Sequence, residues 1–83
     1  MSEVEQKLAH IIAEVVEIEK NELLQKRDVN FFKELGVDSL LGLELVAAVE
    51  REFDIKIEDE EITDLDTFDA ILNLTNKKLE VKK

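Results

Sequence analysis

Residues 35–53 read LGVDSLLGLELVAAVEREF, and their reading decides the fold. From Ser39 onward there is one glycine and no proline among strong helix formers. Leu45, Val46, Val49 and Phe53 recur at i, i+1, i+4 and i+8, one face of a helix. Glu44, Glu50, Arg51 and Glu52 take the wet positions. The stretch predicts an amphipathic helix over 39–53. Leu40, Leu43 and Ala47, at i, i+3 and i+7, make a second apolar stripe rotated away from the first. That stripe is either part of a wide core-facing surface or an exposed docking strip beside a thin core.

The start of this helix carries two capping residues side by side, Asp38 and Ser39. An N-cap serine is worth about 1 kcal/mol. A reciprocal capping box needs Glu or Gln three residues on, and Ser39 has Gly42 there while Asp38 has Leu41. One of the two caps is therefore redundant. The redundancy frees a hydroxyl at a helix N-terminus, where backbone N–H groups and the helix dipole favour an attached phosphate.

Upstream, Val4, Leu8, Ile11, Ile12 and Val15 predict a first helix over about 3–18, capped by Ser2 with Glu3 and Glu5 in its first turn. Residues 19–37 have no sustained period, yet Leu23, Leu24, Val29, Phe31, Phe32 and Leu35 are too apolar for a free linker. A long ordered loop with a short turn fits them, closed by Gly36, and such loops are often functional. Downstream, DIKIEDEE (54–61) alternates Ile55 and Ile57 but has no partner strand, so it reads as an extended connection. DEEITDL (59–65) has room for one short helical turn. Asp66 or Thr67 caps a last helix over about 67–79, with Phe68, Ile71 and Leu72 inward. Residues 80–83 read as a loose tail. The expectation is one all-α domain spanning 1–83, with three longer helices, one short helix and a long loop between helices one and two.

The 83 residues carry a net charge of −10. Between Glu34 and Asp69 there are 13 acidic residues and two basic ones, Arg51 and Lys56, so the acidity belongs to the second half. Such a field repels phosphate backbones, which excludes nucleic acid as a partner, and steers the domain toward basic protein surfaces. There is no cysteine. No apolar run approaches the roughly 20 residues of a membrane span. MSEVEQKLAH (1–10) lacks the basic and apolar segments of a signal peptide. These features predict a soluble cytoplasmic monomer.

The chain offers little for catalysis. His10 stands alone beside the apolar stripe of helix one and reads as structural. Ser39 has no evident base, and two residues separate it from Gly36, unlike the G-x-S-x-G elbow. The acidic run Glu58, Asp59, Glu60, Glu61, with Asp64, Asp66 and Asp69, lacks the alternating spacing and turn glycine of a calcium loop. No catalytic residue and no dedicated metal site is expected.

FFKELGVDSLLGLELVAAVEREFDIKIEDEEI (31–62) resembles the centre of an acyl carrier protein. The family's leucine–glycine–small–Asp–Ser–Leu motif stands as Leu35, Gly36, Val37, Asp38, Ser39 and Leu40, and the flanking helices match in period and length. The resemblance implies an acyl-carrier-like four-helix bundle. It implies a 4′-phosphopantetheine arm on Ser39, installed from coenzyme A by a carrier protein synthase (a phosphopantetheinyl transferase). The arm's thiol carries acyl groups as thioesters to acyl-transferring, condensing and reducing enzymes, most commonly in fatty acid or related lipid synthesis. Motif residues Gly36, Asp38 and Leu40 flank the site, and Leu40, Leu43, Glu44, Ala47 and Glu50 become the contacts to basic patches on partners. In the family the acyl chain tucks between helices, for which Gly42, Ala47, Ala48 and Ala70 are suitably small. Many fatty-acid carriers have polar residues where Leu41 and Gly42 stand, and proline where Glu58 stands. These departures leave open a specialised carrier for a polyketide, modified-lipid or aminoacyl pathway. Readings of other classes are an acidic helical interaction module with no prosthetic group and a Ca²⁺-regulated helical switch.

Overall fold

Ser2 begins the first helix, as its neighbours require: its Oγ accepts from the Glu5 N–H at 3.1 Å, and α1 follows over Glu3–Val16. The computed structural model describes residues 2–82, and these contain helices and no strand. After α1 come α2 (Lys20–Gln25), α3 (Phe31–Glu34), α4 (Ser39–Phe53), α5 (Asp59–Ile62) and α6 (Phe68–Lys82). α1, α4 and α6 are the long helices and α5 the short one; α2 and α3 lie within the long first connection. α1 packs on both α4 and α6. Leu8 and Ile12 of α1, Leu45, Val49 and Phe53 of α4, and Phe68, Ile71 and Leu72 of α6 meet in one core. Of the period-based inward residues, Val4, Ile11, Val15 and Val46 pack half-buried at the edge of this core, and Ala9, outside the expected set, is fully buried in it.

The connection 17–38 is ordered because it is bolted at several points. Leu23 of α2 and Phe31 of α3 are fully buried. Asn30 caps α3, its Oδ1 accepting from the Phe32 and Lys33 N–H groups. The backbone then docks on the start of α6: the Phe31 N–H donates to the Asp66 carbonyl at 2.8 Å, and the Asp69 N–H donates to the Arg27 carbonyl at 3.1 Å. Arg27 finishes the join. Its guanidinium pairs with Glu5 of α1 and Asp69 of α6 and lies 5.0 Å from the centroid of the Phe68 ring. One side chain thus ties the loop to two long helices.

Glu5 is held below the usual carboxylate range, first by the Arg27 hydrogen bond and against the effect of burial. A carboxylate with a depressed folded pKa contributes stability that is fully present above its unfolded pKa, about 4.3 for Glu. That contribution is lost as pH falls through the folded value. Arg27→Gln should therefore melt roughly 5–10 °C below wild type at pH 7. The gap should narrow as pH falls below about 4, because protonated Glu5 has no ion pair to lose. Paired thermal melts from pH 7 to pH 3 measure this, and a pH-independent gap would refute the ion-pair account.

The tail differs from expectation. Residues 80–82 are helical, with α6 running to Lys82; Lys83 lies outside the described residues. The reason is a tertiary contact. Asp54 ends α4 in the left-handed region, φ 53°, and Lys82 Nζ donates at 2.8 Å to both its carbonyl and its Oδ2. Asp54 is held below the usual carboxylate range by this lysine. Thr67, not Asp66, caps α6, its Oγ1 accepting from the Ala70 N–H at 3.1 Å.

Candidate functional site

The site begins with how the chain enters α4. Val37 is buried, and its N–H donates to the Phe31 carbonyl, which the Leu35 N–H also reaches, each at 3.1 Å. Gly36, between them, has φ +69°, a conformation that costs a side-chain-bearing residue about 1–2 kcal/mol. A β-carbon there would touch nothing, so the glycine is needed for its backbone alone. These bonds deliver Asp38 in extended geometry, φ −94° and ψ 179°, as the N-cap of α4. Its Oδ1 accepts from the Leu41 N–H at 2.8 Å. Ser39 is then the first helical residue. It is solvent-exposed, and its hydroxyl makes no hydrogen bond among the described residues. Of the two candidate caps, the aspartate is the cap and the serine is free.

Ser39 stands at the rim of an apolar cavity of about 260 Å³. Buried Phe31, Val37, Leu45, Val49, Ile57 and Leu65 line it, and exposed Phe32 and Leu43 mark its mouth beside Gly42. Of the four small residues set apart in the sequence, Gly42 alone lines it. Ala47 is exposed, and Ala48 and Ala70 are half-buried elsewhere.

On the outer face of α4, Leu40 is 68% and Leu43 55% exposed, and Glu44 and Ala47 are exposed with them. The second apolar stripe is thus on the surface, one helical face beside Ser39. Glu50 departs from its expected wet position. It is half-buried, and its Oε2 accepts from the Ile57 N–H at 2.8 Å, fastening the connection after α4. The Glu50 carboxylate serves the fold. Phe32, 44% exposed at the cavity mouth, was not distinguished from its neighbours by sequence. The Phe-Phe doublet was the available signal, since adjacent residues of a short helix cannot both face one core.

Elsewhere, His10 is exposed on α1 and lies 3.2 Å from Glu14. Among the described residues no group of three or more His, Asp or Glu side chains is placed to hold a metal ion. No helix among them is long and apolar enough to cross a membrane. In the acidic run, Glu61 accepts from the Glu58 N–H and pairs with Lys78, both at 2.8 Å. The lysine hydrogen bond is the main cause that holds Glu61 below the usual carboxylate range.

Residues 6–75 match the family model described as a phosphopantetheine attachment site. Acyl carrier proteins from two strains of Buchnera aphidicola subsp. Acyrthosiphon pisum, Tuc7 and APS, are each 36% identical over 78 residues, 94% of this chain and 95% of theirs. The crystal structure of an acyl carrier protein from Thermotoga maritima is 35% identical and superposes with a TM-score of 0.65, covering 98% of this chain and 96% of that one. These matches run into every helix of the bundle and through Ser39, and on that ground the chain belongs to the acyl carrier proteins, the family that bears covalent 4′-phosphopantetheine.

Proposed function

We propose that Ser39 is the attachment point of the 4′-phosphopantetheine arm, and that the chain is a non-catalytic cytoplasmic carrier of acyl groups. The observation that supports this is the exposed, unbonded Ser39 hydroxyl, first in a helix capped by its neighbour and set at the rim of an apolar cavity. The residues suit the group. A phosphodiester on Ser39 lies at the positive end of the α4 dipole, and the cap leaves the hydroxyl available to a modifying enzyme. The arm supplies a thiol that holds acyl groups as thioesters. The chain supplies the tether point, and a water-poor cavity that takes the apolar end of a short acyl chain.

Fatty acid or related lipid synthesis is the pathway class we favour. A specialised carrier is the second reading, supported by Leu41 and Gly42 beside the serine. The test is incubation with coenzyme A, Mg²⁺ and a broad-specificity carrier protein synthase. The expected result is a mass gain of one phosphopantetheine moiety on a peptide containing Ser39. A chain that stays unmodified would remove the basis of the proposal.

Leu40, Leu43, Glu44 and Ala47 form the face offered to the synthase and to acyl-transferring, condensing and reducing enzymes. Glu44 is its exposed charge. Glu44→Lys should slow synthase association by roughly tenfold at low ionic strength, with the defect shrinking as salt rises toward 0.5 M. Loading rates measured across a salt series check this. Equal rates at low salt would exclude Glu44 from the contact.

A further inference from the structure

The cavity beside Ser39 is bordered in part by exposed residues. Phe31 is fully buried, whereas its neighbour Phe32 is 44% exposed. The Phe32 ring rests on Gly42: a β-carbon built at Gly42 would lie 3.1 Å from Phe32 Cε1 and 3.3 Å from Cζ. Both distances are shorter than ordinary van der Waals contact, so the ring takes the room that a side chain at position 42 would need. Ser39 and Gly42 are three residues apart on α4, hence on one face, and both border the cavity together with Phe32. The ring is thus packed on α4 one turn from the serine, at the exposed border of the cavity. Its exposed side faces water.

We propose that Phe32, seated on Gly42, is the specificity-determining side chain of this carrier: it closes the cavity mouth and must move aside for an acyl chain tethered through Ser39. This rests on Ser39 being the attachment point. Unseating the ring carries a fixed cost, the loss of its contact with Gly42. Each methylene that enters the cavity adds hydrophobic burial. The two together set a threshold length, below which the chain stays outside and the ring stays seated. Glycine at 42 leaves the room that the ring occupies.

The experiment loads acetyl, butyryl, hexanoyl and octanoyl arms enzymatically onto wild type, Phe32→Ala and Phe32→Leu. Shifts of the Val46, Val49 and Ile62 methyl resonances report chain entry. The Gly42 Hα resonance reports the ring above it. Phe32→Ala should admit shorter chains, with butyryl occupancy raised about fivefold. Phe32→Leu should restore most of the threshold. In wild type, octanoyl loading should abolish the ring-current displacement of Gly42 Hα, and acetyl loading should leave it. Identical entry profiles in wild type and Phe32→Ala, with the arm loaded and long chains inside, would overturn the gate and leave the carrier function standing. No chain entry at any length in any variant, with the arm loaded, would likewise overturn the gate alone, whereas no arm uptake at Ser39 would overturn both.

Discussion

Ser39→Ala should take up no phosphopantetheine and should melt within about 3 °C of wild type, because a surface change that breaks no hydrogen bond costs at most about 0.5 kcal/mol. The hydroxyl has no partner among the described residues, and α4 is capped by Asp38. The loss of loading is therefore total while the loss of stability is negligible. Asp38→Ala should show the reverse pattern. It removes the cap on Leu41 N–H, costs about 1 kcal/mol, and lowers the melting temperature by roughly 4–8 °C. It keeps the nucleophilic hydroxyl, so loading persists. Intact-mass analysis and thermal melts on the two variants separate attachment from capping. Should Ser39→Ala still gain the full mass, the arm sits elsewhere; Thr63, another hydroxyl bordering the cavity, would be the first place to look.

The 39–53 helix was legible to the residue because its apolar period, its capping pair and the absence of proline all agree. Which of the two caps acts was not legible, since Asp and Ser are equally good at that position. Tertiary structure decides it: buried Val37 and left-handed Gly36 fix the chain so that Asp38 is still extended and Ser39 already helical. The first connection was legible as ordered from its apolar content. Its two short helices were not, because six and four residues are too few to establish a period. They persist through single anchors, Leu23 and Phe31, and through Arg27, whose partners lie 22 and 42 positions away.

Glu50 and Glu58 show the same limit in finer detail. Glu50 reads as a wet position on its helix and Glu58 as one acid of the 58–61 run. In the structure Glu50 receives the Ile57 N–H, and the Glu58 N–H donates to Glu61. A proline at 58 has no N–H and could not make that bond. The departure from the family pattern at this position thus coincides with a local helix start. Gly42 is the opposite case. Sequence marked it as unusual, and only the Phe32 ring above it gives that observation a physical meaning.

Phe31→Ala is the substitution with the largest expected effect on the fold. The side chain is fully buried and borders the cavity. Replacing such a phenylalanine costs about 3–5 kcal/mol in lost burial and residual void. A domain of this size has a total stability of about 4–12 kcal/mol, so most of the margin is consumed. The melting temperature should fall by roughly 20–30 °C, or cooperative unfolding should disappear. The same residue holds the entry to the site, because its carbonyl receives both the Leu35 and Val37 N–H groups and its own N–H reaches Asp66. Loading at Ser39 should therefore slow in Phe31→Ala even at 15 °C, where folded molecules remain, although the hydroxyl itself is intact. Phe32→Ala, one residue away and half-exposed, should cost less than about 1 kcal/mol. Calorimetry and loading rates on the pair measure both effects. A Phe31→Ala protein melting within about 5 °C of wild type would show that the segment before Ser39 is held by its backbone hydrogen bonds and the Arg27 ion pairs, with the ring contributing little.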